Sequence, residues 1–343
     1  MGSFVATKLI EFGHDVNVID PRPSTYLLDH NNLTVQKIDA MEYCTKYENL
    51  KDADIVINLL PGDIGSEVTK KLCEYPIRIV DLSFCEETPD AYNKKCIDNG
   101  TSILWDVGIA PGLSNMLLSE ATRLTGTLEL GEIRVGGNPS NIDGLWNYMA
   151  PFSPIDVIAE YTRPSRVVRN FYSEVLPALS ERHMIEVEGR GTMEAFLTDG
   201  LRSVLDSISA KELSEYTVRW PGHIQKFIDE REQGSLEIGK LLDEWKFDAG
   251  LPNFTWMEVK TKSIEGKNMK WIVHDEGDEN WHSMARCTGL VTVCSVTEWL
   301  NDPDMIPVGV HAPEILSSEV IHRIMERMKG EGVTIESSSI IVD

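Results

Sequence analysis

The segment RWPGH, residues 219–223, combines two side chains that suit amine chemistry. His223 is a candidate general base, because imidazole is the side chain whose ordinary pKa lies nearest neutrality. Arg219 is a candidate carboxylate ligand, since a guanidinium binds a carboxylate through two parallel hydrogen bonds. The alternatives are a histidine that satisfies a turn or core hydrogen bond and a solvated surface arginine.

Further polar residues could serve the same chemistry. Asp106 follows the apolar run SILW and is a second candidate base or an anchor for an ammonium group, or else a helix cap. Arg163 in EYTRP and Arg286 in SMARC are alternative carboxylate ligands, and we expect one of the three arginines to bind substrate. Tyr148 is a further candidate for substrate contact.

The first twenty residues, MGSFVATKLIEFGHDVNVID, match the second half of a dinucleotide-binding βαβ unit. Gly2 fits the last glycine of G-x-G-x-x-G, and Asp20 fits the acid that holds the ribose hydroxyls. An acid at that position favours NAD, whereas Arg22 leaves NADP open. The alternative is an unspecialised helix and strand of an α/β protein.

The first strand and first two glycines of that unit are missing from the sequence. Either the reading frame was assigned from an internal methionine, or the protein lacks the element that meets the pyrophosphate. In both cases we expect this chain to bind a nicotinamide cofactor poorly, and a form extended upstream to bind it well. Pro61 and Gly62 end the apolar run ADIVINLL, where open sheets place ligands, although a plain strand-end turn fits equally.

Composition excludes several classes of function. With 343 residues and a formal net charge of −23, the chain has no basic stretch for nucleic acid. No run reaches the length of a membrane span, and no secretory signal pattern precedes the fold, so we expect a cytoplasmic protein. The six cysteines include no C-x-x-C pair and are expected to be buried thiols. Histidines and carboxylates show no metal-ligand spacing, so we expect no metal.

The apolar patterns predict two kinds of architecture. Short apolar runs alternate with helical segments up to about residue 105, which predicts a Rossmann-like parallel sheet within an α/β class. From about residue 131 the strands lengthen and alternate with polar residues, and residues 253–277 are predicted to form a hairpin, so a second α+β domain follows. Residues 283–300 and 312–333 return to helical periodicity.

Three stretches carry a family resemblance: WDVGIAPGLSNMLL, TVRWPGHIQKF, and SMARCTGL followed by PVGVHAPE. With the N-terminal segment, they make the chain resemble the saccharopine dehydrogenase family, and within it most closely the L-lysine 6-dehydrogenase type. The resemblance implies a dinucleotide-binding domain over 1–112 plus 283–343 and an inserted α+β substrate and dimerisation domain over 113–282. It also implies a homo-oligomer, with a dimer favoured.

The resemblance further implies an NAD(P)-dependent oxidoreductase that acts on the carbon–nitrogen bond of a basic amino acid, most simply lysine at its ε-carbon. A saccharopine or carboxynorspermidine reductase is the enzymatic alternative, and a non-catalytic nucleotide-responsive protein is the other. In the GIAPGLSN loop, small and polar residues would let backbone approach the nicotinamide, or form an ordinary strand-to-helix turn: Gly108, Gly112, Ser114 and Asn115.

Overall fold

The computed structural model describes residues 1–24, 27, 30–142 and 145–341. Its contacts divide the chain into two compact units. Unit 1 comprises residues 1–113 and 288–328, and unit 2 comprises residues 114–287 and 329–343. The expected domain ranges differ from these units mainly at the C-terminus, because the last strand pairs within unit 2.

Unit 1 is built on short parallel strands, as the alternating apolar runs predict. They are β1 (Val16–Ile19), β2 (Leu33–Gln36), β3 (Val56–Asn58), β4 (Arg78–Asp81), β5 (Ser102–Trp105) and β14 (Gly309–His311). In the described residues β1 pairs with β2, and a second sheet has the order β14-β5-β4-β3. Every pairing in both sheets is parallel, so the carboxyl ends of the strands within each sheet lie at the same edge.

Helices pack against these strands. They are α1 (Gly2–Glu11), α2 (Ala40–Cys44), α3 (Gly62–Leu72), α4 (Asn93–Asn99), α10 (Ser283–Asn301) and α11 (Ser318–Gly330). The core includes the fully buried Leu72, Ile79 and Ile103. Two of these helices approach closely at Gly289 of α10, where an added Cβ would lie 2.4 Å from the Phe4 ring of α1, so only glycine fits there.

Unit 2 is dominated by a nine-stranded sheet. Its strands are β6 (Leu128–Pro139), β7 (Ser165–Arg169), β8 (Tyr172–Leu176), β9 (His183–Val187), β10 (Gly191–Leu197), β11 (Ala210–Arg219), β12 (Asn253–Ser263), β13 (Lys267–Asp275) and β15 (Thr334–Ile341). The order is β15-β13-β12-β6-β11-β10-β9, with β7 joined to β11 and β8. Among the described strands of this sheet, β6 and β11 pair in parallel and the other pairs are antiparallel. The pairing of β12 with β13 confirms the expected hairpin, and the similarity to a solved structure confirms the mixed α/β class.

The helices of unit 2 are α5 (Leu113–Thr125), α6 (Pro154–Thr162), α7 (Val204–Ser207), α8 (His223–Glu232) and α9 (Ile238–Glu244). Side chains of α6, α8 and α9 enclose an aromatic core that includes Trp146, Tyr161, Phe227 and Trp245. This core lies beside the end of β11, which carries Arg219. Helix packing in unit 2 therefore places the RWPGH segment in an apolar environment.

Three general features bear on function. All six cysteines are buried, and no disulfide joins them. Across the described ranges, no helix is long and apolar enough to cross a membrane. The same ranges contain no group of three or more histidine, cysteine, aspartate or glutamate side chains arranged to hold a metal ion.

Candidate functional site

Acidic residues lie at the carboxyl ends of three of the parallel strands of unit 1. Asp20 comes directly after β1, Asp81 ends β4, and Asp106 follows β5. Asp20 is half-buried, and its Oδ1 accepts a hydrogen bond from the Arg22 amide at 2.6 Å. The sequence-predicted ribose ligand therefore lies at the strand end that the dinucleotide-binding unit requires.

Helix α3 begins shortly after the carboxyl end of β3. Pro61 caps the helix and Gly62 is its first residue. An added Cβ at Gly65 would lie 2.3 Å from the Ser83 Cβ, so the helix packs directly on the loop after β4. At Gly2 an added Cβ would make only an ordinary contact of 3.9 Å with Leu59, so close helix packing does not itself require glycine there.

Asp81 is buried and held by three hydrogen bonds. Its Oδ1 accepts from the Ser83 amide at 2.8 Å and the Ser83 hydroxyl at 2.6 Å, and its Oδ2 accepts from Thr69 at 2.5 Å. Burial raises the pKa of Asp81 to about 6, although these hydrogen bonds oppose the rise. The nearby Asp106 raises this pKa further by charge repulsion.

The loop after β5 has an unusual backbone. Asp106 is 4% exposed and has φ of 53°, which is uncommon for a residue other than glycine. Gly108 and Gly112 form a backbone bridge, and an added Cβ at Gly112 would lie 2.0 Å from the Gly108 oxygen. The close approach of the backbone at residues 108 and 112 therefore explains why residue 112 is a glycine.

Ser114 and Asn115 are fully buried at the start of α5. The Ser114 hydroxyl donates to the Asn115 Oδ1 at 2.9 Å, and the Asn115 Nδ2 donates to Ser203 at 3.1 Å. These contacts lie within unit 2 and anchor the helix to residue 203. These hydrogen bonds give Ser114 and Asn115 a structural role. A contact of either residue with a cofactor stays a prediction.

Arg219 lies at the end of β11 and is 4% exposed. Its Nε donates to the Tyr161 hydroxyl at 2.9 Å, and its Nη1 donates to the Val218 oxygen at 3.0 Å. The guanidinium carbon also lies 4.6 Å from the centre of the Tyr148 ring. Because an arginine keeps its charge in proteins, this side chain places a fixed cation inside an aromatic box, defined by Trp146, Tyr148, Tyr161, His223 and Trp245.

His223 is 1% exposed, and both ring nitrogens are used. Nε2 lies 3.1 Å from the Tyr161 hydroxyl, and Nδ1 lies 3.0 Å from the Trp146 oxygen. Burial, with the Arg219 charge, lowers the pKa of His223 to about 3. The predicted role as general base does not fit these surroundings, because Nε2 is occupied and the ring stays neutral throughout the physiological range.

Tyr148 is 4% exposed, and its hydroxyl oxygen is buried with no group of the described chain at hydrogen-bonding geometry. Burial raises the pKa of Tyr148 to about 12, with the nearby Arg219 charge opposing the rise. The hydroxyl therefore keeps its proton. A buried hydroxyl without a partner beside a buried cation is the arrangement that a bound carboxylate would complete.

Two carboxyl groups of unit 2 with raised pKa values were not predicted from the sequence. Glu160 precedes Tyr161 on α6 and is half-buried, and burial raises its pKa to about 7 against the opposing charge of Arg219. Glu215 lies on β11 and accepts from the Thr198 hydroxyl at 2.6 Å, and burial raises its pKa to about 8. The only sequence signal was a charged residue inside each apolar pattern, EYT and SEYTVR.

The other predicted arginines have different surroundings. Arg286 is 6% exposed and forms ion pairs with Asp275 at 3.0 Å and Asp278 at 2.6 Å, and it also donates to the Glu331 oxygen at 2.6 Å. Its guanidinium is therefore committed to joining loops within unit 2, and it does not fit a substrate ligand. Arg163 is half-buried at the end of α6, where its charge opposes the rise in the pKa of Glu160 that burial causes.

Comparison with known proteins places this geometry in context. A family model described as the saccharopine dehydrogenase C-terminal domain matches residues 108–333. The mitochondrial alpha-aminoadipic semialdehyde synthase of Mus musculus is 28% identical over 169 residues, which are 47% of this chain and 18% of that protein. The Rattus norvegicus counterpart is 27% identical over 169 residues, with the same shares covered. The matched region is thus under a fifth of the length of these curated relatives.

Two solved structures share the fold. Saccharopine dehydrogenase (L-Glu forming) from Saccharomyces cerevisiae has a TM-score of 0.79 at 14% identity, with 98% of each chain covered. Homospermidine synthase from Legionella pneumophila, in complex with NAD, has a TM-score of 0.61 at 10% identity, with 99% of this chain and 89% of that chain covered. At these identities the similarity establishes the fold.

Proposed function

Because the chain belongs to the saccharopine dehydrogenase family, we propose that it is a nicotinamide-dependent oxidoreductase acting on the carbon–nitrogen bond of an amino acid. The observation that carries this proposal is the buried pair of Arg219 and Tyr148, where a fixed cation lies beside a hydroxyl that lacks a partner. Such a pair suits the carboxylate that every amino-acid substrate carries.

The strand edge of unit 1 fits a dinucleotide by the chemistry of its donors and acceptors. Asp20 would accept hydrogen bonds from the ribose, which favours NAD, and the start of α3 at Gly62 offers backbone amides. The NAD in the Legionella pneumophila homospermidine synthase structure supports the same class of cofactor. A bound nicotinamide supplies the acceptor or donor of hydride.

Arg219 and Tyr148 bind and orient the substrate carboxylate. Tyr161 receives a hydrogen bond from Nε of Arg219, so the guanidinium is held in one orientation before substrate arrives. Trp146 and Trp245 contribute apolar walls to the same box and exclude water. A carboxylate there gains a charge-assisted hydrogen bond in an environment of low dielectric constant.

Asp106 is the residue we propose as the base. Oxidation of an amine requires loss of a proton from the ammonium group before hydride leaves the carbon. Asp106 is a carboxylate at the carboxyl end of β5, and its φ of 53° marks a backbone that is held in an unfavourable conformation. The resulting imine adds water and releases ammonia when the substrate is a primary amine.

The substrate we propose is a basic amino acid, with lysine oxidised at its ε-carbon as the first candidate. The second candidate is a secondary amine of the saccharopine type, supported by the TM-score of 0.79 to the yeast saccharopine dehydrogenase. The two differ in product, since a primary amine releases ammonia and saccharopine releases a second amino acid.

A substrate screen tests the proposal. The chain is incubated with millimolar NAD or NADP and, in turn, with lysine, other basic amino acids and saccharopine, and the absorbance of reduced coenzyme is followed. The reverse direction uses reduced coenzyme with an amine and a carbonyl compound. We expect substrate-dependent hydride transfer for one member of the set. A folded chain that transfers hydride in neither direction with every compound would contradict the proposal.

A further inference from the structure

Helix α10 packs against the loop that carries Asp106. An added Cβ at Gly108 would lie 3.1 Å from the Cγ2 of Thr288, so this turn of the helix is in close contact with the loop. One turn further along α10, the Thr292 side chain is fully buried, and its hydroxyl donates to the Val107 oxygen at 2.9 Å. Residues four apart share one face of a helix, so the same face of α10 follows the loop.

The Thr292 hydroxyl has one proton and two acceptors within reach. The Val107 oxygen lies at 2.9 Å and the Thr288 oxygen at 3.0 Å. Within the regular helix, the Thr288 oxygen already accepts the amide of residue 292. Val107 is fully buried and lies outside the helices and strands, so its oxygen depends on a donor from elsewhere in the fold. The hydroxyl proton is therefore best placed on the Val107 oxygen, because a buried carbonyl without a donor is costly.

Asp106 lies between two fixed points of the backbone. Its amide donates to the Asp81 oxygen at 2.9 Å, which extends the pairing of β4 with β5 by one residue. On its other side, the Val107 oxygen is held by Thr292. Between these bonds Asp106 has φ of 53°, a conformation that residues other than glycine keep only where their surroundings hold it. The hydrogen bond from Thr292 closes one end of this strained segment.

We infer that Thr292 is a positioning residue for the base: its hydrogen bond to Val107 keeps Asp106 in the left-handed conformation and thereby sets the direction of the Asp106 carboxylate. Rotation about the N–Cα bond moves the Cα–Cβ bond, so an Asp106 relaxed to an ordinary negative φ would carry its carboxylate to a different place. The inference rests on the proposed function, in which Asp106 takes the ammonium proton.

Thr292→Val tests the inference, because valine has nearly the shape of threonine and lacks the hydroxyl. Steady-state kinetics uses the substrate that the screen identifies. We expect kcat to fall roughly tenfold to a hundredfold, since the buried Val107 oxygen loses its donor, while KM for substrate and for coenzyme stays within about twofold. Thr292→Ser retains a hydroxyl and should keep most of the wild-type kcat. Thr292→Cys supplies a weak donor, should give an intermediate kcat, and serves where the valine variant fails to fold.

Thr297→Val is the matched control. Thr297 lies on the same helix, and its hydroxyl donates to the Val293 oxygen at 2.8 Å within α10. The variant therefore removes a hydroxyl whose bond stays inside the helix, and it should keep the wild-type kcat. An unchanged kcat in Thr292→Val, or an equal fall in Thr297→Val, would overturn the inference.

A second background shows whether Thr292 acts through Asp106. In Asp106→Asn, the further change Thr292→Val should lower kcat by no more than about twofold, because the group that Thr292 positions is already lost. The same fall in both backgrounds would mean that Thr292 acts by another route, against the inference.

A crystal structure of Thr292→Val separates this inference from the proposed function, since it requires no activity. We expect φ of Asp106 to leave the left-handed region in that variant and to stay near 53° in Thr297→Val. A wild-type φ in Thr292→Val would overturn the positioning role alone. A fully active Asp106→Asn would overturn the assignment of the base, and this inference with it.

Discussion

His223 and Tyr161 share a hydrogen bond of 3.1 Å between Nε2 and the phenolic oxygen. The same oxygen accepts from Nε of Arg219 at 2.9 Å, so its own proton is directed to His223. The imidazole then accepts at Nε2 and donates from Nδ1 to the Trp146 oxygen. His223 is therefore a positioning residue that orients Tyr161 and, through it, Arg219.

The first prediction distinguishes this positioning role from general base catalysis. His223→Asn should raise KM about tenfold, the effect of one lost buried hydrogen bond, because Arg219 loses its fixed orientation. The acid limb of the pH–rate profile should not move, since the pKa of His223 is already lowered to about 3. Steady-state kinetics across pH check this, with exposed His322→Asn as the control.

Asp106→Asn provides the contrast. This variant should lower kcat by roughly 10²-fold to 10⁴-fold, as expected when a general base is lost. It should also remove the acid limb of the pH–rate profile, which His223→Asn leaves intact. Loss of the limb in His223→Asn, with Asp106→Asn active, would reverse the two assignments.

The second prediction concerns stability and pH at Glu215. Burial raises the pKa of Glu215 to about 8 in the folded chain, whereas its ordinary value is 4.5. Between these two pH values the folded state therefore keeps a proton that the unfolded state has lost. The stability due to that proton is complete below pH 4.5 and is lost as pH rises through about 8. Glu215→Gln should therefore match the wild type in acid and exceed it by a few kcal/mol above about pH 8.

Thermal unfolding across pH measures this effect. The exposed Glu174→Gln should follow the wild-type curve at every pH. Parallel curves for Glu215→Gln and the wild type would show that Glu215 is ionised in the folded protein.

The sequence predicts much of the fold and part of the site. Alternation of apolar residues identifies β6, β11 and the β12–β13 hairpin, and helical periodicity identifies α10 and α11. It does not identify β8, whose residues are almost all exposed, or β10, which is buried on both faces toward its end. The strand β15 has the sequence TIESSSII, and it pairs with residues of β13 that lie 60 to 74 positions earlier in the chain, so no local pattern reveals it.

The parts of the site that the sequence does not predict also depend on contacts between distant residues. RWPGH was recognisable as a motif, but the full use of both His223 nitrogens depends on Trp146 and Tyr161, which lie 77 and 62 residues away. The hydrogen bond from Arg219 to Tyr161 likewise joins residues 58 positions apart, on β11 and α6. Residue type suggests possible chemistry, while the partners that select among the possibilities come from distant parts of the chain.

The third prediction concerns cofactor choice at Asp20. Asp20→Ser should weaken NAD and improve NADP relative to it, because a carboxylate accepts from the ribose 2′-hydroxyl and repels a 2′-phosphate. The ratio of kcat/KM for the two cofactors measures the change. Exposed Asp15→Ser should leave the ratio as in the wild type. If Asp20→Ser has the wild-type ratio of kcat/KM for NAD and NADP, Asp20 does not contact the ribose.

Replacement of Arg219 by lysine tests the central claim most directly, because it keeps the charge and removes the planar fork. Steady-state kinetics with the amino-acid substrate from the screen should show KM raised at least tenfold, with a smaller fall in kcat, since carboxylate binding depends on two parallel hydrogen bonds. Arg231→Lys, at an exposed position of α8, should retain wild-type kinetics. A folded Arg219→Lys variant with unchanged KM would contradict the assignment of this site to the substrate carboxylate.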